Sequence, residues 1–315
     1  MQEESFWFCT DDQHDLFVKC WQNTSSPKAI IQIAHGMVEH IERYHDFATY
    51  LTEHNFTVYG HDHRGHGKTG DNANSLGYFA DENGFDRVVQ DCIELTEMIK
   101  QKHPHTPIFL IGHSMGSFVS RRYMMLEPNH LTGVILVGTG FQPYALLTMA
   151  KQLAKTVGYI RGQNAEAKLM NKLTFFGYNK HTDNQTAFDW ICSDQEEVEK
   201  YTKDKFCGFT PTNQFFYDLY TGLQWIQSKD KTDNIPKDLP LLFVSGKEDP
   251  VGHYGEGVQK AVAFYRSIDM KNVNNHLYEK GRHEILNETN KIEVFHNIVT
   301  WIEKQMACHN FTLSL

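Results

Sequence analysis

The chain lacks a long uninterrupted apolar run, a Cys-x-x-Cys pair and any excess of positive charge, and each absence removes a class of function. The most apolar window, residues 131–150, is broken by glycines and by Pro143. It reads as a strand, a loop and a helix start, not as a transmembrane span. The six cysteines (Cys9, Cys20, Cys92, Cys192, Cys207, Cys308) are scattered along 315 residues. A chain of this length buries a core without covalent staples, so reduced thiols are expected. A formal net charge of −9 argues against nucleic acid as a partner, because phosphate binding needs a basic surface. It gives no attraction to anionic membranes either. The opening Met1-Gln2-Glu3-Glu4-Ser5 lacks the layout of a signal peptide, and a cytoplasmic location is the expectation. There is no internal repeat and no low-complexity tract.

What the chain has is alternation. Residues 5–10 and 16–21 flank a polar turn and predict an antiparallel hairpin. Short apolar runs at residues 29–34, 56–59, 107–111, 133–137, 241–244 and 275–278 predict strands, the central ones buried. Between them lie helical patterns. Phe85, Val88, Val89, Cys92, Leu95 and Ile99 repeat at helical spacing, as do Tyr44, Phe47, Ala48 and Leu51. Phe295, Ile298, Val299, Ile302 and Met306 mark a closing helix. Strands alternating with amphipathic helices predict an α/β protein whose mostly parallel central sheet has helices on both faces. Residues 142–236 depart from that rhythm, with helical stretches and no convincing buried strand. They are expected as an inserted helical cap over the carboxyl ends of the strands, with residues 1–141 and 237–315 forming the core.

Within that frame, Gly112-His113-Ser114-Met115-Gly116 closes one apolar strand and opens a helix that runs to Pro128. A serine on such a turn has its hydroxyl exposed above the sheet, and the flanking glycines avoid collision with neighbouring backbone. Serine is a weak nucleophile at neutral pH. It needs a base, and the base needs a group to orient it. Both are available in the order Ser, acid, His. Asp249 follows the strand at 241–244, with Glu248 as its neighbour and rival, and His283 lies beyond the last strand in Gly281-Arg282-His283-Glu284. An oxyanion would be held by backbone N–H groups of Met115 and of Met37, in the loop His35-Gly36-Met37.

The loop His61-Asp62-His63-Arg64-Gly65-His66-Gly67 carries three histidines and an aspartate. Such spacing can ligate a metal, but no second ligand cluster is evident. A hydrogen-bonded structural loop with Asp62 and Arg64 paired to neighbours is expected, with no metal and no organic cofactor.

These motifs jointly resemble the α/β-hydrolase superfamily, within it the monoacylglycerol lipase and lysophospholipase-like branch. The carrying residues are His35-Gly36-Met37-Val38-Glu39-His40 with Arg43-Tyr44, then residues 60–67, GHSMG at 112–116, SGKEDPVG at 245–252 and GRHE at 281–284. The resemblance runs from about residue 5 to residue 305. It implies the α/β-hydrolase fold, a triad of Ser114, Asp249 and His283, and Met37 and Met115 as oxyanion donors.

The expected activity is hydrolysis of a carboxylic ester with an apolar acyl chain, of monoacylglycerol or lysophospholipid type. Phe141, Tyr144 and Phe209 are the expected pocket residues. Other aromatics of residues 142–236, such as Phe175, Phe215 and Phe216, supply apolar surface, and at least half of this set is expected to pack the insertion's own core. Prolyl-type serine aminopeptidases share the core motifs, and Asp189, Asp194, Glu196 and Glu197 could hold an α-amino group. A non-catalytic hydrolase-like binding protein is the remaining alternative. The expected partner is a small ester or lipid, with transient membrane contact through the cap; sequence does not set the oligomeric state.

Overall fold

Side chains along a strand point alternately to opposite faces, and here that alternation builds two cores. The computed structural model describes residues 1–23 and 25–313, with side chains to residue 308. In β3 (Ile30–Ala34), β5 (Ile108–His113), β6 (Gly133–Val137) and β7 (Leu241–Gly246), one set of side chains is Ile31, Ile33, Phe109, Ile111, Ile135, Val137, Leu242 and Val244. These pack beneath α1 (His45–Glu53) and α10 (Lys291–Leu313). The intervening residues, among them Ile30, Leu110, Leu136 and Phe243, pack beneath α3 (Gly84–Lys102), α4 (Met115–Leu126) and α9 (Glu256–Arg266). Covering both faces is why these strands read as continuous apolar runs.

β1 (Gln2–Cys9), β2 (Asp15–Gln22), β4 (Thr57–His61) and β8 (Val273–Tyr278) complete an eight-stranded sheet in the order β1-β2-β4-β3-β5-β6-β7-β8. The hairpin forms as the sequence predicts, with β1 beginning earlier, at Gln2. β2 is antiparallel to β4, and every pairing from β4 onward is parallel. The chain leaves β3 to one side for β4 and returns to its other side for β5. Their carboxyl ends therefore frame a switch point, where open α/β sheets bind ligands.

Two helices add to the sequence reading. The stripe of α9 is legible as Val258, Ala261, Val262 and Tyr265, whereas α2 (Gly67–Asn72) is short and has no apolar periodicity. Residues 142–236 hold α5 (Tyr144–Arg161), α6 (Lys168–Thr174), α7 (Gln195–Lys203) and α8 (Asn213–Trp225), and none of the eight strands. Phe215 and Phe216 on α8 are fully buried in the main core, Phe215 with its ring centroid 4.5 Å from that of Phe79. Trp190, Ile191, Cys192, Val198 and Tyr201 form a separate small core. No helix among the described residues is long and apolar enough to cross a membrane.

Candidate active site

The turn between β5 and α4 places Ser114 at φ 52°, ψ −118°, a conformation that costs a non-glycine residue about 1–3 kcal/mol. The surroundings hold it there. Ser114 N–H donates to the Val137 carbonyl at 2.9 Å. A Cβ on Gly116 would strike the Ala34 carbonyl, and one on Gly112 would strike the Gly116 carbonyl. The turn thus rests directly on the end of β3, which explains both flanking glycines.

The segments after β7 and β8 bring up the other two residues. His283 Nδ1 lies 3.0 Å from Asp249 Oδ1. Asp249 Oδ1 also accepts from Val251 N–H at 2.8 Å, and its Oδ2 accepts from Ser245 Oγ at 3.2 Å. Asp249 is fully buried and His283 is 4% exposed, while Glu248 faces solvent. The carboxylate on His283 is therefore that of Asp249. With a proton on Nδ1, the ring leaves Nε2 free to accept one. β6, which anchors Ser114, is followed directly by Gly138, where a Cβ would sit 3.2 Å from His283 Cε1. The Ser114 turn and the His283 imidazole thus meet at the end of one strand.

The loop after β3 closes against the same point. A Cβ on Gly36 would lie 3.2 Å from Ser114 Cβ. Gly36 N–H donates to Glu39 Oε1 at 2.5 Å, and the chain turns through Val38 at φ 52°. Among the described residues no acceptor engages the N–H of Met37 or Met115.

Beneath this lies a charged cluster to which sequence reasoning gave no role. Glu39 Oε1 accepts from Tyr44 OH at 2.9 Å and faces His113 Nδ1 at 3.0 Å. Arg43 Nη1 donates to Glu39 Oε2 at 2.8 Å, and its guanidinium grips Glu284 at 2.6 and 2.7 Å. The other nitrogen of His113 is 3.3 Å from the His283 carbonyl. Both ring nitrogens of His113 face oxygens that only accept, so the ring is held as the imidazolium. Burial opposes that charge, but the hydrogen bond and charge of Glu39 outweigh it and raise the His113 pKa. Burial likewise pushes the Glu39 carboxyl up, and His113 and Arg43 bring it well below the usual range. Two carboxylates thus meet the Arg43 guanidinium and the His113 ring in one buried cluster. The signal was available, since Glu39, Arg43 and Glu284 all lie in the motifs that carry the family resemblance.

The histidine loop packs as a structural element. Asp62 accepts from the backbone N–H groups of Ile41 and Lys68 at 2.8 and 2.7 Å. Arg64 binds Asp91 through two hydrogen bonds and reaches Asp12 at 2.6 Å. The rings of His35 and His63 lie 4.2 Å apart, and those of His35 and His66 lie 5.3 Å apart. Burial lowers the pKa of His66 to about 4 and that of His61 to about 3. In the unfolded chain His66 binds a proton below about pH 6.5, while in the native state it stays neutral until about pH 4. Its protonation therefore favours unfolding progressively as pH falls from 6.5 toward 4, by about 3 kcal/mol in total. The expected NMR result is a His66 imidazole that shows no titration between pH 8 and pH 5. Titration near pH 6.5 would contradict it.

Each of the three expected pocket residues has its own setting. Phe141 is half-buried, 5.8 Å from the Phe264 ring. Phe209 is half-buried, 5.8 Å from His66. Tyr144 is 61% exposed at the start of α5.

Residues 25–290 match the family described as serine aminopeptidase, S33 (Hydrolase_4). The chain is 27% identical to a monoglyceride lipase homolog of Monkeypox virus, over 92% of this chain and 95% of that one. It is 25% identical to the monoglyceride lipase of Rattus norvegicus, over 94% and 89%. Among solved structures, a highly thermostable carboxyl esterase from Bacillus coagulans in complex with glycerol superposes with a TM-score of 0.89 at 27% identity, covering 97% of this chain and 99% of that one. A monoglyceride lipase from Saccharomyces cerevisiae superposes at 0.76 with 18% identity, covering 97% and 96%, and speaks for the shared α/β-hydrolase fold.

Proposed function

Because the chain belongs to the serine aminopeptidase S33 (Hydrolase_4) family, we propose that within it this protein is a serine hydrolase of carboxylic esters with apolar acyl chains, of monoacylglycerol or lysophospholipid type. The observation that carries the reading is the buried His283–Asp249 pair, set against the strand that anchors a strained Ser114.

His283 Nε2 takes the Ser114 proton as Oγ attacks the ester carbonyl. The Met37 and Met115 N–H groups hold the oxyanion that develops. As the intermediate collapses, the ester C–O bond breaks and His283 returns the proton to the departing alcohol. Water, activated by the same ring, then releases the fatty acid and regenerates the serine. Asp249 fixes the imidazole tautomer and stabilises its charged form. The sequence of steps calls for no metal or organic cofactor.

Two features favour a lipid ester over an aminopeptidase substrate. Three of the four carboxylates that would hold an α-ammonium are engaged locally, and the fourth, Glu196, lies exposed. Asp189 accepts from the N–H groups of Gln185 and Thr186 at 2.6 and 3.0 Å, Asp194 caps α7, and Glu197 pairs with Lys200 at 2.7 Å. Conversely, Leu146, Met149, Leu153 and Ile160 form one exposed stripe along α5, at 48%, 64%, 37% and 73% exposure. An apolar stripe of this kind suits transient docking on a lipid surface.

The test is kcat/KM across p-nitrophenyl esters from acetate to palmitate, alongside a monoacylglycerol and an amino-acid amide. The expected outcome is an optimum at medium or long acyl chains with negligible amide turnover. Preference for the amide, or for acetate with steep loss thereafter, would overturn the lipid-ester reading.

A further inference from the structure

His40, Asp204 and Cys207 are the one set of side chains among the described residues close enough to share a metal ion, with donor atoms all within 4.8 Å of one another. We propose that they bind a thiophilic divalent cation, with zinc the best match, joining the loop after β3 to the segment after α7. This does not rest on the ester-hydrolase reading.

The donor chemistry selects the ion. One imidazole, one carboxylate and one thiol form a borderline-soft set, whereas magnesium and calcium take oxygen ligands. Three protein ligands leave the fourth tetrahedral position to water. In such a site the donor atoms stand about 3.3–3.7 Å apart, from the zinc–nitrogen, zinc–oxygen and zinc–sulfur bond lengths. Here His40 Nε2 is 2.8 Å from Asp204 Oδ2, so an ion enters if this pair opens slightly and Cys207 closes in.

The surroundings already hold the three in place. Asp204 Oδ1 is fixed by the Phe206 N–H at 2.8 Å, and Cys207 N–H donates to the Asp204 carbonyl at 3.1 Å. Gly208 N–H and Tyr201 OH both donate to the Val38 carbonyl, at 3.0 and 3.1 Å. Those bonds bring the α7 segment onto the loop carrying His40.

Binding fixes the tautomer of the His40 ring. The residue is 6% exposed, and its buried Nδ1 has no hydrogen-bond partner among the described residues. On binding, the ring proton moves to Nδ1, Nε2 turns its lone pair to the metal, and the Cys207 thiol releases one proton to solvent. The balance is one cation bound and one proton freed.

The experiment uses the full chain, stripped with a chelator and titrated with Zn²⁺, then with Co²⁺. The expected results are one ion per chain, release of a proton, a rise in Tm, and a thiolate-to-cobalt charge-transfer band in the near ultraviolet. Cys207→Ser should abolish the band and weaken zinc binding at least tenfold. Its retained ester turnover and unchanged metal-free Tm would show that it is folded, and His40→Gln should likewise lose the ion. Absence of saturable binding, a cobalt spectrum without the thiolate band, or equal affinity in Cys207→Ser would overturn the proposal.

Discussion

Ser114→Ala is expected to lower kcat/KM for the preferred ester by on the order of 10⁴–10⁶ and to abolish labelling by a fluorophosphonate. Two properties of the site set the scale. In the proposed mechanism the Ser114 oxygen bonds to the acyl carbon, so its removal ends covalent catalysis and leaves only binding and oxyanion stabilisation. The proposed triad would also work as a unit, so Ser114→Ala with His283→Ala should be scarcely slower than either single variant. Stability should change little, within about 0.5 kcal/mol, because alanine meets the same backbone conformation at φ 52°. Measured rates falling less than a hundredfold, or multiplying in the double variant, would mean that Ser114 is not the nucleophile.

Arg43→Leu is expected to cost about 3–5 kcal/mol of stability, read from urea unfolding. The side chains of Arg43, Glu39 and Glu284 are 10%, 4% and 4% exposed, so the guanidinium cannot be replaced by solvent. Without it Glu39 keeps His113, Tyr44 and the Gly36 N–H, but among the described residues the Glu284 carboxylate retains only Asn287 Nδ2, at 3.0 Å. One carboxylate is left buried beyond the cations that balance it. A control follows from that cause: Arg43→Leu with Glu284→Leu should be more stable than Arg43→Leu alone. A single variant as stable as the parent would show that the cluster is hydrated and weakly coupled.

The sheet was legible because strands covered on both faces must be apolar throughout, and residues 133–137 give both ends of β6. Strand ends were less so. β5 continues through His113, a histidine that tolerates burial because Glu39 faces it. Sequence reasoning gave Glu39, Arg43 and Glu284 no role of their own, and only the fold shows that a guanidinium meets a carboxylate 241 residues away. Asp249 and Glu248 are chemically alike and adjacent, so composition could not separate them. The turn sends one inward and leaves the other in water. Pocket residues were the hardest to place. An aromatic that lines a cavity and one that fills a core look the same in sequence, and Phe215 and Phe216 turn out to be core.

The pairing of β6 with β7 has a kinetic consequence. It joins Val134 to Leu241 across four intervening helices, and such non-local pairings are late and slow to form. A growing chain that has folded through β6 presents its serine but has neither Asp249 nor His283. With the proposed triad, esterase activity can appear only when β7 and β8 add to the sheet edge. In a refolding experiment the return of turnover therefore times that last docking step, separately from the earlier recovery of helix and strand.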